Sequence, residues 1–225
     1  GMVFMLTSYK NKFIFFKTIK TASSSVFNFF TPYCLPDDFE FKYENELNDN
    51  YLGFWSNGIV GNPLTKSCEL KRHVPCIKAR QILNKIDKNI WRTYFKFCVV
   101  RNPWDICVSL YFWRKRDGIN RDVSFEEMID KLGKTLSIRQ DTYKINDKYI
   151  CDFHIKYENL YNGIKKVCNL CNIKNYDLNN LTNNKSGYRD KSYHYSEFYN
   201  DSTKDIVANL YKSDIKKFKY EFEKF

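Results

Sequence analysis

No apolar run in the chain approaches the roughly 20 residues that span a bilayer, so a transmembrane helix is not expected. The first residues, Met2 to Tyr9, lead straight into a strand rather than into the charged-then-apolar pattern of a signal peptide. A soluble protein, cytoplasmic or otherwise intracellular, is the expectation. Gly1 ahead of Met2 has the look of a cleaved-tag remnant and is left out of fold reasoning. Internal repeats are absent, as is the G-x-x-x-x-G-K-[ST] signature of nucleoside-triphosphatase loops, which counts against that enzyme class. Histidine is scarce: His73, His154 and His194 make up the full set. One C-x-x-C occurs, Cys168 with Cys171, but no second pair or histidine cluster completes a zinc site, and its segment reads as a helix. No metal is expected. The eight cysteines are scattered, several in apolar segments such as Phe97-Cys98-Val99-Val100, and read as free, partly buried thiols.

What the chain does have is core-forming material. Hydrophobic residues at 43% and aromatics at 18% argue against global disorder, and 225 residues suit one α/β domain, spanning 2–225. The net charge of +11 fits a polyanionic partner such as an acidic glycan or a nucleotide with several phosphates. Lys, Asn, Ile and Tyr are all abundant, however, and much of the lysine is equally read as ordinary solvated surface, so charge alone discriminates nothing.

Two segments share one grammar: an apolar run of buried-strand length, a polar loop, then a helical pattern. In the first, Phe13 to Phe16 leads through Lys17 to Ala22 into a helix from about Ser23 through Phe30, stopped before Pro32. In the second, Phe95 to Val100 leads through Arg101-Asn102-Pro103 into a helix reaching about Lys115. Asn102 suits the N-cap, Pro103 the first helical position, and Asp105 the first turn, where a carboxylate complements the helix dipole. Residues 38–67 read as loops with short strands over the sheet's open edge. Helices are predicted over 77–90, 125–132 and 160–171 and from Thr203 onward, and a short strand over 150–155 completes a mostly parallel sheet. Residues 175–190 read as a mobile polar loop.

The first loop, Lys17-Thr18-Ile19-Lys20-Thr21-Ala22-Ser23-Ser24-Ser25, lies where a strand ends and a helix begins. Amides at a helix N-terminus make an anion site, and small residues admit a phosphate to the main chain. Thr21, Ser23, Ser24 and Ser25 offer hydroxyls and Lys20 a positive charge. In the second loop, Arg101 just before a helix and Ser109 two turns into it are placed to hold one phosphate. The bland reading of each loop is a Ser-rich helix start with an incidental lysine, and an Arg-Asn-Pro cap above a buried serine.

On these two loops the chain resembles the sulfotransferase superfamily, in its carbohydrate-modifying branch. Ile19-Lys20-Thr21-Ala22-Ser23-Ser24-Ser25 is similar to that branch's 5′-phosphosulfate loop, Pro-Lys-Thr-Gly-Gly-Thr-Ser, with Ile19 for proline and Ala22-Ser23 for the two glycines. Val100-Arg101-Asn102-Pro103-Trp104-Asp105-Ile106-Cys107-Val108-Ser109-Leu110-Tyr111 resembles the 3′-phosphate motif, Val-Arg-Asn-Pro-x-Asp-Arg-x-x-Ser-x-Tyr, departing at Ile106. Arg72-His73-Val74-Pro75 is similar to the segment that carries a catalytic histidine, and Lys185-Ser186-Gly187-Tyr188-Arg189 to the late loop that closes over the nucleotide.

The resemblance implies a three-layer P-loop-like fold, 3′-phosphoadenosine 5′-phosphosulfate (PAPS) as donor, and a hydroxyl acceptor, best matched by a glycan. Lys20 to Ser25, Arg101, Ser109, Lys185 and Arg189 would bind the donor. Lys20 and His73 would be catalytic, His73 as the base, with Glu158 and Asp152 as acidic alternatives. No metal is implied, and nucleic acid is not the expected partner. Trp104, Tyr111 and Trp113 read equally as adenine-stacking or core aromatics. The rival functions are a nucleotide-binding kinase-like enzyme, a non-catalytic polyanion- or nucleotide-binding module, and a degenerate sulfotransferase fold.

Overall fold

The computed structural model describes residues 5–44, 49–61, 75–118, 122–135, 140–181 and 193–224, with the side chains of 49, 134 and 135 left aside. Its contacts cluster in two compact units, one formed by Gly1–Val100 with Arg139–Asn184, the other by Arg101–Ile138 with Lys185–Phe225. Among the described residues no helix is long and apolar enough to cross a membrane.

The first unit is built on a six-stranded sheet. Strand β1 (Met5–Ser8) runs antiparallel to β2 (Phe13–Phe16), with Met5 opposite Phe16 and Ser8 opposite Phe13. The short β3 (Gly53–Trp55) and β4 (Gly58–Val60) extend the sheet antiparallel beyond β1. At Gly58 a Cβ would stand 2.0 Å from the Thr7 carbonyl oxygen, so only glycine lets β4 approach β1. On the other side β2 pairs in parallel with β5 (Phe95–Val100), and β5 with β8 (Phe153–Lys156), giving the order β3-β4-β1-β2-β5-β8.

The sheet is therefore mixed, with three antiparallel pairings and two parallel ones, rather than mostly parallel. The physical reason is local. Met5 to Ser8 is not a lead-in but a strand, and a turn of four residues returns the chain directly beside it, which costs far less chain than a parallel crossover.

Side chains alternate across this sheet. Phe13, Phe15, Phe97, Val99 and Ile155 lie on one face. They pack with Val26, Phe27, Phe29 and Phe30 of α1 (Ser23–Phe30) and with Ile164, Val167 and Cys168 of α6 (Leu160–Leu170). Phe13, Phe30 and Phe97 meet pairwise edge to face at 5.6, 5.6 and 5.1 Å. Each such ring buried contributes on the order of 2–3 kcal/mol of transfer energy, and each pair about 1 kcal/mol more. On the opposite face Phe16 meets Trp91 of α3 (Lys88–Thr93), edge on at 5.9 Å.

Ahead of β5 the expected single helix over 77–90 is two, α2 (Cys76–Ile86) and α3. Asp87 breaks it, because its carboxylate accepts from the Asn89 amide at 2.8 Å and so starts a new helix instead of continuing the old one. A hairpin that the sequence reading did not expect, β6 (Lys144–Ile145) with β7 (Lys148–Tyr149), turns through Asn146 and Asp147, both left-handed.

The second unit is helical: α4 (Pro103–Arg116), α5 (Phe125–Thr135), α7 (Asp201–Leu210) and α8 (Lys212–Phe218). Rings from distant stretches join it, with Phe125 on Tyr199 at 4.9 Å and Trp104 and Tyr199 each on Phe222 at 5.5 Å. The Trp104 indole donates to the Lys204 carbonyl and Tyr199 Oη to the Trp104 carbonyl, so Trp104 is spent on packing.

Candidate functional site

The loop between β2 and α1 is held from inside by hydroxyls. Thr18 Oγ1 donates to the Val99 carbonyl on the neighbouring parallel strand at 2.5 Å. That uses its one hydrogen, so Thr21 is the donor across the 2.7 Å contact between the two threonine hydroxyls. Ser23 Oγ donates to the Thr18 carbonyl. Lys20 and Ala22 both adopt left-handed backbone, at φ 55° and 57°. Ala22 thus stands in the conformation that favours glycine, at a position where the sulfotransferase loop that it resembles has one, at a cost on the order of 1 kcal/mol.

This web changes the roles expected of the loop. The hydroxyls of Thr21 and Ser23 are committed inward. The start of α1 itself is the feature that bears on anion binding. Ala22 precedes it, no side chain caps it among the described residues, and its first turn holds no acid. The Ser25 and Val26 amides return to the Ala22 carbonyl at 3.0 and 3.2 Å, while those of Ser23 and Ser24 lie before the first intrahelical bond. Ser24 and Lys20 are half-exposed beside them. An uncapped helix start of net positive potential with a lysine next to it is suited to an anion.

The start of α4 has the opposite character. Asn102 Oδ1 accepts from the amides of Trp104 and Asp105 at 3.1 and 3.4 Å, as the sequence predicts for an N-cap. Its Nδ2 donates to the Glu221 carbonyl at 3.1 Å. Arg101 turns its guanidinium onto Asp105, with Nε 2.8 Å and one terminal nitrogen 2.7 Å from the same carboxylate oxygen. The side chains are 10% and 16% exposed, so this is a largely desolvated pair. Between Asn102 and Leu110 only Asp105 and Ser109 are not buried, which sets them one turn apart on a single polar stripe of the helix. Sequence reasoning placed Asp105 for the helix dipole and missed it as the clamp on Arg101; the spacing of four was the available signal.

His73, Lys185 and Arg189 lie outside the described residues, as does the 182–190 part of the loop predicted over 175–190. His194 serves a local cap: its Nδ1 accepts from the Ser196 amide at 3.3 Å, and its amide donates to Glu197 at 2.8 Å. Asp152 accepts from the Lys96 amide at 2.8 Å and so has a structural task, while Glu158 is exposed. Cys168 and Cys171 belong to the apolar core beside α6, and burial pushes both thiols up to about 12. The described residues that can offer a metal converging ligands are Cys98, Cys151 and His154, whose ligand atoms all lie within 4.8 Å of one another.

Over 92 residues, which are 40% of this chain and 77% of the relative, the sequence is 38% identical to an Archaeoglobus fulgidus protein described as uncharacterized. The chain belongs to the family of this archaeal protein. No family model and no solved structure matches it.

Proposed function

We propose that the chain is a sulfotransferase that moves a sulfuryl group from PAPS to a hydroxyl, best matched by that of a carbohydrate. The observation that carries the reading is the start of α1: uncapped, free of acid in its first turn, joined to β2 through left-handed Lys20 and Ala22, and tied to β5 by Thr18. The parallel run of β2, β5 and β8 with α1 and α6 on one face supports a three-layer, P-loop-like arrangement for this half of the sheet.

When bound, the donor supplies a sulfuryl group already activated by a phosphate leaving group. The chain's own residues then have distinct tasks. The Ser23 and Ser24 amides and the Lys20 ammonium hold the 5′ end and favour charge gathering on the departing oxygen. Arg101, held by Asp105, and Ser109 are the pair that the resemblance assigns to the 3′-phosphate. His73 accepts the acceptor's proton. Asp152, with its carboxylate engaged by the Lys96 amide, is the weaker alternative.

The test is direct. The purified chain, incubated with PAPS and a panel of glycans, lipids and small alcohols, is expected to add the mass of one SO₃ to a glycan. Adenosine 3′,5′-bisphosphate at about 100 times its dissociation constant should stabilise the protein by about 2.7 kcal/mol, and ATP by less. Equal shifts with both nucleotides, or turnover that requires magnesium and ATP, would point to the kinase-like rival.

A further inference from the structure

Cys98 and His154 are direct partners in the parallel ladder between β5 and β8. Their neighbours Phe97, Val99 and Ile155 fill the aromatic core, so both side chains leave the sheet on the opposite face. Cys151 comes just before β8, where the chain is pinned twice: the Asp152 amide donates to the Lys96 carbonyl, and the Lys96 amide to Asp152, each at 2.8 Å. Two sulfurs and an imidazole nitrogen thereby come within 4.8 Å of one another from positions 53 residues apart in the sequence.

We infer that Cys98, Cys151 and His154 form a binding site for a thiophilic divalent ion of the zinc class. With Zn–S about 2.3 Å and Zn–N about 2.0–2.1 Å, tetrahedral ligands stand roughly 3.3–3.8 Å apart, so closing the set needs about 1 Å of side-chain movement. Sulfur and imidazole select zinc-like ions over magnesium or calcium, which take oxygen. Two thiolates and a neutral imidazole balance a divalent charge, so the occupied cluster is neutral and suits its partly buried place. Cys98 is fully buried, whereas Cys151 and His154 are half-buried. The imidazole is steadied edge on by Tyr149 of β7 at 5.7 Å. Cys76 is engaged elsewhere, its thiol donating to the Lys144 carbonyl at 3.0 Å, so the described residues offer three ligands and leave the fourth position for water. Because β8 is the edge strand of the sheet, the ion would fasten that edge to β5.

The full chain, stripped by a chelator and titrated with Co²⁺, should form a one-to-one complex showing thiolate-to-cobalt charge transfer and tetrahedral visible bands, both abolished by Zn²⁺. Cys151→Ser and His154→Gln, checked for folding by circular dichroism, should each lose the complex. In the unaltered chain, Zn²⁺ should slow alkylation of Cys151, mapped by mass spectrometry. Absence of a stoichiometric cobalt complex overturns the inference, and so does zinc protection that maps to Cys168 and Cys171 instead.

Discussion

The two strand-to-helix junctions begin alike in sequence and end as opposites in structure. The start of α4 is closed: Asn102 caps it, Asp105 answers its dipole, and Arg101 is clamped onto Asp105. The start of α1 is open: the Thr21 and Ser23 hydroxyls bond within the loop, and among the described residues no side chain caps the helix and its first turn holds no acid. A helix start completed by its own side chains is stable and has little left to offer. One left incomplete keeps a demand for an anion. For the function proposed above, the difference favours primary anion binding at the first junction and gives the second a prearranged arginine.

The largest test of that contrast is catalytic. Lys20→Ala should impair both bisphosphate binding and turnover, whereas His73→Ala should leave binding near normal and lower turnover by roughly 10²- to 10⁴-fold, read from initial rates and melting shifts. Near-normal turnover in His73→Ala would remove it as the base.

Stability should follow the reverse order. Arg101→Ala leaves the largely desolvated Asp105 carboxylate without its partner and should cost about 3 kcal/mol in denaturant unfolding. A cost under about 1 kcal/mol would mean that the pair behaves as an exposed ion pair and that the second junction is not closed by it. Asn102→Ala, which removes the α4 cap, should cost about 1 kcal/mol. At the open junction the sign reverses: Ala22→Gly should raise the unfolding free energy by about 0.5–1 kcal/mol, by relieving left-handed backbone.

The smallest effect is a pH dependence. Another closed start, that of α5, has Ser124 and Glu127 in reciprocal bonds of 2.8 and 3.1 Å, and the backbone and hydroxyl of Ser124 hold the Glu127 carboxyl below its ordinary value. A depressed carboxyl contributes stability that is present above its unfolded pKa and lost as pH falls through its folded one. Glu127→Gln, which removes the titrating carboxyl, should therefore flatten a slight acid-side loss of stability, measured by unfolding between neutral and acid pH. An unchanged acid limb would show the cap to be energetically idle.

Much of this architecture is local enough to read from the chain. The runs at Phe13 to Phe16 and Phe95 to Val100, the helix starts at Ser23 and Pro103, and the Asn102 cap all stand where their residue types require. Elements that depend on a partner were not legible in the same way. Met5 to Ser8 becomes a strand only because β2 and β4 flank it, and this made the sheet mixed instead of mostly parallel. Asp87 splits a helix that periodicity alone would continue.

The candidate sites divide along the same line. A small-residue, lysine-bearing loop joining a buried strand to a helix is legible in the chain, because strand length, loop polarity and helix period are written within a few residues of one another. That the hydroxyls of Thr21 and Ser23 bond within the loop depends on tertiary structure, since Thr18, to which both bond, is anchored on Val99 of another strand. Only the tertiary structure, too, brought Cys98 beside Cys151 and His154. Strand register fixes which side chains share a face, and register is set by pairing between segments that no spacing along the chain connects.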